Sequence, residues 1–538
     1  MCEVTRHNFT DLYAKIEQSI NSADFIAIDT EFTGLYFDTV CKPSLFDNSG
    51  ERYFKLRKSV QNFSLLQLGI TTFVRNAKEN RYIAETFNFH LCPMSFGSHD
   101  QRFYMQASSV QFLCKHKFNF NMWLYEGLPY LNKVEEKELE EQLENGLLFS
   151  GIESELDEKE LQNLCSGVAA WVSTASVGEC LTLQIDESSF SAMYICHKDL
   201  RTRFPQIWTS TNAFGQLVVE RVDHVRRILL EKQSKESESQ QRHLHITEML
   251  GFTRVFRMLQ RARKPIVGHN LLMDLMFMYE KFHHPLPDNY RVFKEDIHAL
   301  FPTIFDTKHI NHCLRKPLKS LEIFKTGNLH ELYEVLHCER IMGLMLQQPT
   351  IVLANAELNA GVGRAAHHAG YDSYVCGCVF LRLCHLLHFR NFDSVDMAPC
   401  SFKMYLSSMK DYCNCINVIR AMVNYINLAG TEPPVQRPPL IHVQAIKSGT
   451  KLIQQQLALW FSLYGAVDVQ MVNSRQAIVA TANFITAQDI ISAFKDHDVI
   501  RVTKYRFWEH SILGQSVLLC SLAVATGSCI AILMNVFR

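Results

Sequence analysis

Asp29 and Glu31 interrupt an otherwise apolar run, FIAIDTEFTGL (25–35), and the interruption limits what that run can become. On a strand, residues two apart project from the same face, so these two carboxylates would stand side by side. Like charges that close force a proton onto one of them unless cations intervene. Two later segments repeat the pattern of an acid inside an apolar element. Asp274 lies in GHNLLMDLMFMY (268–279), and Asp372 lies in HHAGYD (367–372), five residues after His367.

Singly, none of these is specific, since about one D-x-E arises by chance in a chain this long. In this order, and inside apolar elements, the four carboxylates form a cage of hard oxygen ligands suited to Mg²⁺ or Mn²⁺ rather than Zn²⁺. Two such ions about 4 Å apart stabilise both the attacking and the leaving oxygen of a phosphodiester displacement. The attacking water still needs a base. A neutral imidazole at His367 has the right proton affinity for that task.

Periodicity assigns strands to 24–33, 59–73 and 82–91 as a meander, and a helix leading into a turn to 108–120. It then predicts an amphipathic helix at 246–262, a strand and turn at 264–270, a helix at 271–282, a strand-like 301–310 and a helix opening at 367–387. Between the halves, 133–160 is dense in charge and 231–245 is a polar helix or linker. One α/β nuclease domain, 1–150 and 246–430, is thus expected to carry a small α+β insertion at 151–245. Beyond a Pro-rich boundary, TEPPVQRPP (431–439), residues 438–507 read as β-α-β-β-α-β, the ferredoxin-like layout of RNA-recognition (RRM-like) domains.

The totals narrow the class. A chain of 538 residues exceeds what one core accommodates. With 47% hydrophobic and 20% charged residues it is globular. A net charge of −1 argues against gripping nucleic acid by global charge, leaving local cations such as Lys55, Arg57, Lys58, Arg261, Arg263 and Lys264 as phosphate contacts or ordinary surface. Phe32, next to Glu31, is a stacking platform for a base or a core residue. The 17 cysteines lack CxxC pairs and MCEVTRHNFT is no signal peptide, which points to reduced thiols in a cytosol-facing chain. The tail, 512–536, contains VLLCSLAVATGSCIAILMNV (517–536), long enough as a helix for a bilayer core. With Arg501, Lys504 and Arg506 upstream, the expectation is a single C-terminal transmembrane helix, a tail anchor in the endoplasmic reticulum or mitochondrial outer membrane with the catalytic part in the cytosol.

The segments AIDTEFTGL, FSLLQLGI, SSVQFL–FNFN–GLPYLN, GHNLLMDLMF, FPTIFDTK and HHAGYD resemble, in order, those of the DEDD 3′–5′ exonucleases with the histidine variant of the third motif. Within them the chain is similar to the poly(A)-specific ribonuclease family, and to its membrane-anchored germline branch that trims pre-piRNA 3′ ends. The resemblance implies a ribonuclease H-like fold and metal binding by Asp29, Glu31, Asp274 and Asp372, with His367 as general base. It also implies two Mg²⁺ ions, with Mn²⁺ able to substitute, acting on single-stranded RNA with a free 3′-hydroxyl to release 5′-nucleoside monophosphates. A PIWI protein and a Tudor-domain scaffold are the implied partners, and a homodimer is compatible.

Four departures qualify the likeness. His368 stands where the soluble family member has Glu. The insertion lacks an evident Arg-x3-His signature. Met471 replaces a cap-stacking tryptophan, and the third strand of the C-terminal unit, QAIVATA, lacks base-stacking aromatics. A poly(A) deadenylase, a DNA exonuclease, or a non-catalytic membrane-bound scaffold for RNA or protein are the competing readings.

Overall fold

The computed structural model describes all residues except 98, 145–157, 184–189, 213–214, 316–326, 344–346, 355–366, 392–398, 436, 448 and 537–538. A seven-stranded sheet organises the first and third quarters of the chain. Its spine runs Cys2–Val4, Arg81–His90, Leu65–Asn76, Phe25–Phe32, Ile266–Gly268, Ile304–Asp306, with Thr350–Leu353 also paired to Arg81–His90. The expected meander is present as two antiparallel pairings. Asp29 lies opposite Gly69 and Glu31 opposite Gln67. The later strands join in parallel.

Alternation along Phe25–Phe32 divides the core. Ile26 and Ile28 face a cluster that includes the helices Phe9–Ser22, Ser49–Asn62, Phe252–Ala262 and Leu272–Phe282. Phe25 and Ala27 face a second cluster beneath the long helix Ala369–Asn391. Each fully buried Phe or Ile contributes roughly 1.5–3 kcal/mol through removal of apolar surface from water. Asp29 and Glu31 continue the Phe25–Ala27 row, so their side chains project toward the start of that long helix.

Several boundaries differ from the periodicity. The helix Ser49–Asn62, closed by an Asn48–Glu51 capping box, occupies the first residues of the expected 59–73 strand, which begins at Leu65. The amphipathic stretch 246–262 is two helices. The first is the 27-residue His224–Leu250, which takes up the polar linker. The second starts at Phe252 after Gly251, whose φ of 35° and missing Cβ let the Pro129 carbonyl approach; a Cβ there would lie 2.1 Å from that oxygen. In 301–310, only Ile304–Asp306 is strand, because Asp306 caps a helix starting at Thr307. Phe32 stacks on Phe277 at 4.3 Å and belongs to the core rather than to a base platform.

The insertion contributes the helices Glu158–Thr174 and Phe190–Arg203 and a three-stranded sheet of Cys180–Leu183, Leu217–Arg221 and Ile207–Thr211 with its own hydrophobic cluster. Residues 441–504 follow the order strand, helix, strand, strand, helix, strand, with sheet order Val467–Asn473, Gln476–Thr481, Ile441–Ala445, Ile500–Lys504 and every pairing antiparallel. This unit is tied to the seven-stranded sheet's loops by Asp468. Its Oδ2 accepts from the Leu45 amide at 2.6 Å and its Oδ1 from Arg420 at 2.5 Å. A cleft of about 1530 Å³ runs between the two, lined by Lys42, Phe54, Lys55, Lys58 and Met471 among others.

The tail folds as the helix Ile512–Val536. Among the described residues, however, no helix is long and apolar enough to cross a membrane. This finding overturns the expected tail anchor and, with it, the predicted placement in the endoplasmic reticulum or mitochondrial outer membrane. The helix intersperses Gln515, Ser516, Ser521, Thr526, Gly527 and Ser528 among its apolar residues. The Thr526 and Ser528 hydroxyls turn back onto the Leu522 and Val524 carbonyls, each at 2.8 Å. The side chains of 531–536, the end of the expected span, lie outside the described residues.

Candidate active site

The five predicted site residues converge from three elements. Asp29 and Glu31 stand on the central strand, half-buried. Asp274 is in the first turn of Leu272–Phe282 and is 8% exposed. Asp372 is in the first turn of Ala369–Asn391 and is 6% exposed. His367 precedes that helix in a left-handed conformation, φ 68°, and its backbone N–H donates to Asp372 Oδ2 at 3.1 Å. The helix itself starts at Ala369, two residues later than the expected opening at His367. Ligand atoms of Glu31, His367 and Asp372 all lie within 4.8 Å of one another.

Close approach at this point depends on one residue. Gly69 faces Asp29 across the ladder, and a Cβ on it would lie 2.0 Å from the Ala369 carbonyl oxygen. Only a glycine lets the helix start settle onto the carboxylate strand. Asp274 is fixed from the other side of the strand, where the Thr30 hydroxyl donates to its Oδ1.

Electrostatics follow from crowding. Burial first, then the charges of Asp372, Asp274 and Glu31, push the Asp29 carboxyl well up. Burial, Asp372 and Asp274 do the same to Glu31. Burial raises Asp274 to about 6, against the Thr30 hydrogen bond that lowers it. Burial lowers His367, opposed by Asp372 and reinforced by His116 and His330, so its imidazole stays neutral at neutral pH. Acids that resist ionisation, gathered with Asp372 at one point, are what an oxygen cage for divalent cations presents before its charge is balanced. The donor set therefore fits the Mg²⁺ or Mn²⁺ expected from the sequence.

Other participants were not singled out by the sequence. The His330 Nε2 sits 2.8 Å from Asp372 Oδ1, and its ring stacks on Tyr371 at 5.8 Å. His116 and the exposed Phe112 pack edge-on against the His367 ring at 4.2 and 4.6 Å. Asp306, wholly buried, accepts from the amides of Asn270 (2.9 Å), Leu271 (3.1 Å), Lys308 (2.9 Å) and Asn417 (2.9 Å). It thereby holds the turn that leads into the Asp274 helix. The His269 of the GHN triplet is likewise structural. It lies between Thr307 Oγ1 at 2.9 Å and the Gly327 carbonyl at 3.1 Å, and burial lowers it to about 3. Acid partners already engage three of the candidate phosphate cations: Lys55 with Asp47, Lys58 with Asp38 and Arg57 with Asp288.

Comparison with known proteins places similarity along the whole chain. Residues 4–380 match the family model of CAF1 family ribonucleases. The chain is 33% identical to the pre-piRNA 3′-exonuclease trimmer of Bombyx mori, with 100% of this chain and 99% of the relative covered. Against the poly(A)-specific ribonuclease PNLDC1 of Mus musculus it is 33% identical, covering 99% of both. Against the poly(A)-specific ribonuclease PARN of Xenopus laevis it is 28% identical over 94% of this chain and 80% of the relative.

Proposed function

The chain belongs to the CAF1 family of ribonucleases and is a 3′–5′ exoribonuclease, and from that premise we propose that it trims the 3′ ends of pre-piRNAs by two-metal hydrolysis. The observation that carries the substrate is the end-to-end similarity to the Bombyx mori trimmer. The poly(A)-specific ribonuclease PARN of Xenopus laevis extends beyond the part this chain matches, which covers 80% of it.

In this reading Asp29, Glu31, Asp274 and Asp372 hold two Mg²⁺ ions, or Mn²⁺ in their place. When bound, the ions supply charge stabilisation to the attacking and leaving oxygens of the 3′-terminal phosphodiester. His367 takes the proton of the attacking water on its imidazole, kept neutral by burial. The Asp372 carboxylate has a second task, because its contact with the His367 amide orients the loop that carries the base. The RNA must present a free 3′-hydroxyl, and 5′-nucleoside monophosphates leave one at a time.

A net charge of −1 and cations already paired with acids favour delivery of the RNA by a partner, since phosphate neutralisation dominates free-RNA affinity. A PIWI protein carrying the RNA, with a Tudor-domain scaffold, is the partner set we assign. We divide the chain into a nuclease domain, 1–150 and 246–430, an insertion, 151–245, and an RRM-like unit, 438–507. The antiparallel sheet order supports a ferredoxin-like reading of the last. Its Met471 packs against that unit's core, which favours protein contact over base stacking.

Deadenylation is the second reading, favoured by the name of the Mus musculus relative. Full-length protein with Mg²⁺ or Mn²⁺ is assayed on PIWI-loaded RNA, free poly(A) and DNA of matching sequence, beside Asp274→Asn. Faster trimming of PIWI-loaded RNA supports the proposal, and equal or faster removal of free poly(A) replaces it with deadenylation. Preference for DNA, or Asp274→Asn trimming at the wild-type rate, sinks it.

A further inference from the structure

The helix that carries Asp372 starts without a capping side chain of its own. The Asp372 amide bonds to the His368 carbonyl at 2.9 Å, which puts His368 at the cap position, where Ser, Thr, Asp or Asn would normally accept from the first free amides. Acceptors reach in from the sheet instead. Gln67 Oε1 accepts from the Ala369 amide at 3.4 Å and Asn88 Oδ1 from the Gly370 amide at 3.0 Å. Asn88 is wholly buried, so which end of its amide faces the helix decides whether the cap exists.

That orientation is set from the edge of the sheet. Glu3, on the short strand Cys2–Val4, lies in register with Asn88. Its Oε2 accepts from Asn88 Nδ2 at 2.7 Å and lies 2.8 Å from His90 Nε2, while its Oε1 lies 3.6 Å from His368 Nε2. A carboxylate only accepts. It therefore turns the Asn88 nitrogen toward itself and leaves the oxygen for Gly370. The same carboxylate faces the ring of His368, the residue next to His367.

We propose that Glu3 is a positioning residue for the nuclease reaction, acting through Asn88 and His368 on the placement of Asp372 and His367. The inference rests on the roles assigned to those two residues above. It also gives the His at 368 a physical partner: a second acid at that position would stand against Glu3 with no cation between them.

The test uses the full chain and compares Glu3→Ala, Glu3→Gln, His368→Ala and the Glu3→Ala/His368→Ala pair. Steady-state trimming gives kcat and KM, thermal melting reports folding, and Mn²⁺ titration followed by electron paramagnetic resonance reports the carboxylate cage. A misplacement of about 1 Å at reacting groups costs up to about 100-fold, so Glu3→Ala is expected to lower kcat about ten- to hundred-fold with KM within about twofold, and to weaken Mn²⁺ binding. Glu3→Gln keeps an acceptor for Asn88 and is expected to recover most of kcat. Acting on one path, the paired variant falls short of the product of the single losses. A Glu3→Ala kcat within about twofold of wild type overturns the proposal. So do multiplicative losses in the pair, or a loss in both Glu3 variants that simply follows the melting temperature. Asp372→Ala in the same assay separates the two levels. Activity that survives it overturns the site reading itself, whereas activity lost there but kept in Glu3→Ala overturns only the role of Glu3.

Discussion

Gly69→Ala places one methyl group between the carboxylate strand and the helix that carries Asp372. The added carbon would lie 2.0 Å from the Ala369 oxygen, 2.2 Å from its carbonyl carbon and 2.5 Å from the Gly370 nitrogen. Non-bonded contact needs about 3.5 Å, so backbone must part from backbone by about 1.5 Å. No flexible side chain is available to absorb that displacement. Overpacking of this kind costs about 1–3 kcal/mol of stability, which a domain of this size survives. The catalytic consequence should be larger than the thermodynamic one. Asp372 lies three residues into the displaced helix and is expected to lose its place opposite Glu31, for a fall in kcat of about 100-fold. Rates on a free 3′-end RNA at saturating Mn²⁺ are compared with the melting temperature of the same preparation. Wild-type trimming in a folded Gly69→Ala protein would refute the close-approach argument, because the helix would then tolerate the shift without cost to the site.

A second expectation concerns pH. The folded Asp274 carboxyl holds its proton to about 6 rather than 3.8, and Asp29 and Glu31 are raised as well. A raised acid favours the folded state at low pH, so this contribution is present below about pH 4 and disappears as pH rises through about 6. Chelator-treated protein should therefore melt lower at pH 7 than at pH 5, and Mn²⁺ at pH 7 should restore the difference; a melting temperature that Mn²⁺ leaves unchanged would count against the cage. Asp306→Ala removes the acceptor for five backbone amides and should destabilise the protein by roughly 3–5 kcal/mol in urea unfolding; a loss under about 1 kcal/mol would show that those amides find other partners. Asp468→Ala frees Leu45 and Arg420, and limited proteolysis within 431–439 should speed up while the nuclease core remains intact. Unchanged cleavage would mean that other contacts hold the C-terminal unit.

Much of the site was legible as a list of residues. Two-residue alternation along FIAIDTEF compels Asp29 and Glu31 to one face, and the apolar helices around Asp274 and Asp372 leave those acids no solvated role. Elements were less legible where a backbone contact from elsewhere decides them. The stretch 246–262 reads as one helix, yet Pro129 and Gly251 break it. The stretch 301–310 reads as strand, yet the strand ends at Asp306, which caps a helix starting at Thr307. The tail reads as a membrane span, whereas no described helix is long and apolar enough for one.

By itself, then, the sequence determined which side chains are candidates: four carboxylates, an imidazole and the apolar elements that carry them, since periodicity and residue type are local properties. Only the tertiary structure decided how those donors meet. The Gly69–Ala369 approach, the Thr30–Asp274 contact and the Glu3–Asn88–Gly370 relay join residues far apart in the chain. Their geometry depends on strand register and on how closely two backbones can pack, and neither is written in any one segment.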